Sequence, residues 1–232
     1  MLRLVVSLDP FAALRRAPGA KTPDLHALAH AALLGGASGV RLTLGDEAEA
    51  ADLRRRLDGA LLLDIPPEAT AVEAALRIRP ERVCVVPREA GPGAAALAPL
   101  LERLGAGGLS VALRVPPTEQ AVLLANEAGA AWADLDTRAL AAASQDARRW
   151  QEFRALGQAA STARQVGLRV TAGGGLDAPT LARLAALDDL EEVHVGFQAL
   201  ARALFTGLAQ AVRDLRGDLA AHAPAAGGDD TP

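Results

Sequence analysis

Eight short runs rich in Val, Leu or Ile, each leading through a turn into an Ala/Leu stretch with charges along one side, predict an α/β chain folded as a single (β/α)₈ TIM barrel. Two further observations agree. A chain of 232 residues has the length that such barrels routinely use as one domain. A composition that is 50% hydrophobic but only 3% aromatic suits helices held close to a sheet by small side chains.

The predicted strands are Leu2 to Leu8, Val40 to Leu44, Ala60 to Ile65, Arg82 to Val86, Ser110 to Val115, Ala131 to Leu135, Leu168 to Thr171 and Glu192 to Val195. Helical patterns follow them, among others Asp24 to Leu34, Glu68 to Ile78, Ala94 to Leu104, Thr118 to Ala128, Ala178 to Ala185 and Ala199 to Leu215. Glycines stand at several helix-to-strand joints, at Gly35, Gly36, Gly105 to Gly108, Gly129 and Gly167, where a left-handed C′ residue belongs. The stretch Ala139 to Val166 exceeds one ordinary barrel helix, which predicts an extra helix between strands six and seven with its break near Ser144 and Gln145. The barrel is expected over residues 1–218, and residues 219–232, rich in Ala, Gly, Pro and Asp, are expected to form a disordered tail.

Charge and composition exclude several partners. With 24 Lys and Arg against 28 Asp and Glu, the formal charge is −4, so no global positive field draws the chain to nucleic acid or to an anionic membrane. The N-terminal apolar run meets Asp9 and Pro10 too early for a signal peptide, and no later run approaches the length of a membrane span; a cytoplasmic protein is expected. The single cysteine, Cys84, lies in an apolar run and reads as a buried thiol, and it allows no disulfide within the chain.

In a barrel of this type the reactive groups stand at the carboxyl ends of the strands. Read in order, these ends carry Asp9, Thr43, Asp64, Pro87, Pro116, Asp136 with Thr137, Gly173 to Gly175, and Gly196. Glycines after the seventh and eighth strands fit a phosphate site, because backbone N–H groups can approach an anion that also meets a helix N-terminus; the alternative is that they only make tight turns.

At these residues the chain resembles the pyridoxine 5′-phosphate synthase family, from Leu4 to about Asp218. The landmarks are Val6-Ser7-Leu8-Asp9 with Ala13-Leu14-Arg15, Pro23-Asp24, Cys84-Val85-Val86-Pro87, Ala172-Gly173-Gly174-Gly175-Leu176, Val195-Gly196, and Ala201 to Leu208. The resemblance implies a homo-oligomer, usually an octamer. It also implies condensation of 3-amino-1-hydroxyacetone 1-phosphate with 1-deoxy-D-xylulose 5-phosphate to pyridoxine 5′-phosphate, in vitamin B6 biosynthesis, without an organic cofactor.

The family pattern places Ser7, Asp9 and Arg15 in substrate binding, Asp64 at the catalytic glutamate, and Asp134, Gly174, Gly175, Gly196 and Phe197 around substrate and phosphate. Thr43 stands where the family has a histidine, Gly45 where it has an arginine, Gly174 where it has a second catalytic histidine, and Phe197 where it has a phosphate-loop histidine. Pro10 follows Asp9 where the family has a further histidine, and the loops after strands two and four are shorter than usual. Threonine and glycine cannot shuttle protons near pH 7, and a carboxylate on an arm one methylene shorter retreats from the reacting atoms.

Strand alternation puts Arg41 with Thr43, Asp134 with Asp136, and Arg169 with Thr171 on common faces, either as a remodelled site or as a buried ion-pair layer. No metal is expected, since arginines compete for Asp64, Asp134 and Asp136. His26 and His30 read as a solvated helix face, His194 as a hydrogen-bonded structural residue, Arg54 to Arg56 as a solvated helix face, and Trp132 and Trp150 as packing. Two readings follow: a vitamin B6 synthase with Asp64 as a general base, or a relative that binds a phosphorylated metabolite, or partners a true synthase, without closing the ring. A different reaction on a phosphorylated substrate, carried by the aspartates, is a third.

Overall fold

The computed structural model describes residues 2–16, 23–88 and 93–222. Eight parallel strands close into a barrel in sequence order: β1 (Arg3–Ser7), β2 (Gly39–Thr43), β3 (Ala60–Ile65), β4 (Arg82–Val85), β5 (Ser110–Val115), β6 (Trp132–Asp136), β7 (Arg169–Gly173) and β8 (Glu192–Val195). The ring closes where β1 pairs with β8, Val5 opposite His194. Around it run α1 (Asp9–Ala13), α2 (Leu25–Leu34), α3 (Glu47–Arg56), α4 (Ala69–Ile78), α5 (Ala94–Ala106), α6 (Glu119–Glu127), α7 (Arg138–Ala142), α8 (Asp146–Gln165), α9 (Ala178–Leu184), α10 (Phe197–Thr206) and α11 (Leu208–His222).

Local chemistry sets these boundaries. Asp24, Asp46, Thr118 and Asp177 each cap a helix by accepting a backbone N–H of its first turn. The extra helix before β7 is α7, and the chain breaks before α8 at residues 143–145, where Ser144 and Gln145 announced it.

Three expectations change. The single helix expected from Ala199 to Leu215 is two, because Gly207 takes φ 77 and ψ 156, a conformation that a side chain strongly disfavours. Helix α11 runs through His222, past the expected start of the tail; the remainder of that tail, and residues 89–92 of the loop after β4, lie outside the described residues. Trp150 is 55% exposed and stacks on Phe153 at 5.8 Å, so it packs on its own helix and not in the core.

Pleat alternation divides the side chains of the barrel into two sets. Val6, Val40, Leu63, Val85, Leu113, Leu135, Val170 and Val193 are completely buried, in one cluster with the helices. Each such side chain contributes about 2 kcal/mol of burial. The opposite set faces inward and is largely polar: Arg41, Asp64, Asp134, Thr171, Glu192 and His194 are all buried, beside the apolar Val5 and Leu62 and a small group of Cys84, Ala112 and Trp132. Barrels of this class ordinarily fill that space with Val, Ile and Leu. Here stability comes from the outer layer, while the interior is filled by charges that have to be paired. No helix among the described residues is long and apolar enough to cross a membrane.

Candidate active site at the barrel mouth

The ends of β1 and β2 are joined by a carboxylate. Asp9, the first residue of α1, accepts the backbone N–H of Thr43 at 2.9 Å and its hydroxyl at 2.9 Å. The Ser7 hydroxyl adds a longer bond to Asp9 at 3.3 Å. Beside them is a hollow of about 360 Å³ whose polar lining includes Asp9, Thr43, Asp46 and Glu49. Arg15 does not turn toward the strand ends: its guanidinium donates to Glu49 of α3 at 2.7 Å.

One layer deeper, the pore holds an ion-pair cluster. Arg41 of β2 donates through Nε to Asp64 of β3 at 2.7 Å and through Nη2 to Asp134 of β6 at 2.6 Å. Its Nη1 contacts Nδ1 of His194. Arg114 of β5 donates to the same Asp134 oxygen through Nε at 3.0 Å, with its Nη2 in ion-pair contact at 2.8 Å. The Cys84 thiol points at that oxygen too, at 3.2 Å. Because Nδ1 of His194 faces an Arg41 N–H, it acts as acceptor, which leaves the ring proton on Nε2 to donate to the Thr171 hydroxyl at 2.9 Å. Thr171 passes its own proton to the Glu192 carbonyl at 3.2 Å.

The electrostatics follow from burial and pairing. Burial alone would push the Asp134 carboxyl up, but Arg114 and Arg41 together outweigh it and hold the group far below the usual carboxylate range. Asp64 goes the other way: burial dominates, and despite Arg41 and Arg114 its pKa lies above the ordinary value. Burial and then the Arg41 charge push His194 down to about 4, so it is neutral at pH 7. Burial also raises the Cys84 thiol well above its usual value, which makes it a poor nucleophile.

At the floor of the barrel Arg82 pairs with Glu192 and lies over the Trp132 ring, 3.4 Å from its centroid, with Arg169 at 3.9 Å. Arg169 is therefore not part of the mouth; it donates to Glu191 at the N-terminal end. Asp64 and Asp134 take guanidinium groups as partners, and Asp136 takes Arg138 at 2.7 Å.

The two glycine loops have different neighbours. Gly174 and Gly175 take φ 125 and 69, and the loop is tied to the start of α7: the Thr137 N–H reaches the Gly173 carbonyl at 3.0 Å and the Thr137 hydroxyl the Gly174 carbonyl at 2.8 Å. A Cβ on Gly174 would come within 3.0 Å of Asp136, so no imidazole fits that backbone without a shift. Gly196 precedes α10 and packs against the end of β1, where an added Cβ would lie 2.9 Å from Pro10 and 3.2 Å from Ser7. Phe197, the next residue, is 73% exposed.

The structure thus gathers Ser7, Asp9, Thr43 and Gly196 at one part of the rim, and puts Asp64 and Asp134 in the pore. It leaves Arg15 on a salt bridge to α3. The pore charges resolve into an ion-pair layer around Arg41. Arg114 is the member that sequence reasoning missed, although alternation along Ser110, Ala112 and Arg114 puts all three on one face of β5.

Fold and interior together define a closed (β/α)₈ barrel whose strand-end residues are polar and whose pore is charge-paired. The family model of the pyridoxal phosphate biosynthesis protein PdxJ matches residues 4–221. A pyridoxine 5′-phosphate synthase of Pelodictyon phaeoclathratiforme is 32% identical over 231 residues, covering 92% of this chain and 98% of the relative. One from Prochlorococcus marinus is 33% identical over 233 residues, covering 93% and 95%. Among solved structures, KGPDC from Streptococcus mutans shares the fold with a TM-score of 0.65 at 15% identity, covering 95% of this chain and 98% of that one. The chain belongs to the PdxJ family.

Proposed function

We propose that this chain is a member of the PdxJ family that binds a phosphorylated small metabolite at the carboxyl end of its barrel and does not close the pyridine ring. The observation that carries this reading is the engagement of Asp64. The carboxylate at the family's catalytic position accepts from Arg41 at 2.7 Å inside a buried cluster, where it fixes a charge. Proton transfer in the family pattern needs two further acid/base side chains. At those positions Thr43 is bonded to Asp9, and Gly174 has no side chain. Each loss of a general acid or base removes on the order of 10² to 10⁴ in rate.

Support for phosphate comes from what remains. Gly174 and Gly175 take φ of 125 and 69 in the loop after β7, where backbone N–H groups without side chains beside them suit an anion, and Gly196 opens a ten-residue helix whose first-turn N–H groups favour one. A phosphorylated ligand selects the native state and raises its melting temperature.

Two measurements on the purified chain test the reading. Mixed at high concentration with 3-amino-1-hydroxyacetone 1-phosphate and 1-deoxy-D-xylulose 5-phosphate, it yields no pyridoxine 5′-phosphate by mass spectrometry. A melting-temperature screen of phosphorylated sugars and pyridoxine 5′-phosphate gives at least one positive shift. Steady turnover rejects the loss of catalysis, and a uniformly flat screen rejects the binding role.

A further inference from the structure

The two arginines of the pore differ in what they have left to give. Arg41 has a side chain 3% exposed, and each of its three nitrogens has a partner: Nε on Asp64, Nη2 on Asp134, Nη1 on His194. It is a structural cation. The Arg114 side chain is 21% exposed, and it uses only Nε and Nη2, both on a single oxygen of Asp134. Its Nη1 makes no hydrogen bond among the described residues and stands 3.9 Å from Asp64.

A guanidinium carries five N–H groups, so the Nη1/Nη2 edge of Arg114 keeps donors to spare. That edge has one direction in which to be exposed. Below Arg114 the pore is closed by Ala112, Cys84 and Trp132, which are 1%, 3% and 2% exposed, and Arg114 sits next to the carboxyl end of β5. The open donors therefore face the mouth. Among the residues nearest the mouth, Ser7, Thr43 and Gly196 are uncharged, the Asp9 carboxylate is taken up by Thr43 and Ser7, and Asp136 is held by Arg138.

We propose that Arg114 is an oxyanion-binding residue of the mouth, and that the ligand of this barrel carries a carboxylate in addition to its phosphate. This rests on the phosphorylated-metabolite reading above. A carboxylate is favoured over a second phosphate by charge and shape. Arg41 and Arg114 are already matched by Asp64 and Asp134, so a monoanion adds less repulsion than a dianion would. The planar fork also pairs side by side with a planar carboxylate.

The test compares two probes that differ at one end, 3-phosphoglycerate and glycerol 3-phosphate, by calorimetric titration. The wild-type protein prefers the carboxylate-bearing probe by about tenfold or more, the range of one charge-assisted hydrogen bond. Arg114→Met reduces that preference to under about threefold, leaving the phosphate contribution in place. Should Arg114→Met fail to fold, Arg114→Lys keeps a cation beside Asp134 but loses the fork; its preference falls at least threefold, by about half the logarithm of the full effect, at a melting temperature close to wild type. Equal binding of the two probes by the wild type, or a preference that survives both substitutions, overturns the role of Arg114 and leaves the phosphate reading standing. A wild-type protein that binds neither probe overturns the role of Arg114, and one that also gives a flat screen of phosphorylated sugars and pyridoxine 5′-phosphate overturns both.

Discussion

Thr43 gives both of its donors to Asp9: its backbone N–H and its hydroxyl each lie 2.9 Å from one oxygen of that carboxylate. At Thr43 this chain has a fastening between the ends of β1 and β2. Thr43→Val keeps the side-chain shape and removes one solvent-exposed hydrogen bond, so it lowers unfolding free energy by about 0.5–1.5 kcal/mol in urea titrations. Asp9→Ala removes both Thr43 bonds, leaving those exposed donors to water, and costs more than Thr43→Val.

Asp134 is the counter-charge shared by Arg41 and Arg114, completely buried. Asp134→Ala leaves two guanidinium groups in the pore with Asp64 as their remaining carboxylate partner, and destabilises the fold by about 3–5 kcal/mol. Denaturant midpoints at constant slope read this directly.

His194 makes stability depend on pH. Its folded pKa is about 4 against an ordinary 6.5, so the unfolded chain binds the proton more readily. Its stability contribution is complete above pH 6.5 and declines as the pH falls from 6.5 toward 4, at up to about 1.4 kcal/mol per pH unit. Below that, Glu192, held at about 2 against an ordinary 4.5, adds a further loss as the pH falls through that range. Asp64, with its raised pKa, works in the opposite sense and softens the slope in acid. Replacing the ring by an amide in His194→Asn flattens the profile between pH 6.5 and 4 and weakens the more acidic limb, because the His194 ring is the largest of the groups that lower Glu192, leaving Arg82 to hold the remainder.

Gly207 separates α10 from α11 at φ 77 and ψ 156. Gly207→Ala, with open space around the added methyl, costs about 1–3 kcal/mol through backbone strain alone and lowers the melting temperature.

The barrel was legible because its signals are local and repeat. Eight runs of strand type with helical periods between them leave one closed arrangement, and the break at Ser144 and Gln145 betrayed α7 by length alone. Gly207 was less readable: within an apolar helical pattern a lone glycine is often tolerated, and only its φ/ψ shows that the helix stops. The site was half legible. Sequence order located Asp9, Thr43, Asp64 and the glycine loops at strand ends, and alternation put Arg41 and Asp134 inside. Which charges meet is a property of barrel closure, since β2, β3, β5, β6 and β8 each supply one member of the cluster. Arg169 shows the same limit: it shares a face with Thr171, yet lies a layer lower, on Glu191 and Trp132.

The decisive structural relation is the commitment of Asp64 to Arg41, and a double-mutant cycle measures it most directly. Arg41→Met, Asp64→Leu and the pair together, each unfolded in urea at pH 7, are predicted to give a coupling energy of about 2 kcal/mol or more, as expected for buried partners in contact. A coupling below about 0.5 kcal/mol, the level of independent sites, would mean that the Asp64 carboxylate is free of Arg41 and available for proton transfer, contradicting the proposed loss of ring-closing chemistry.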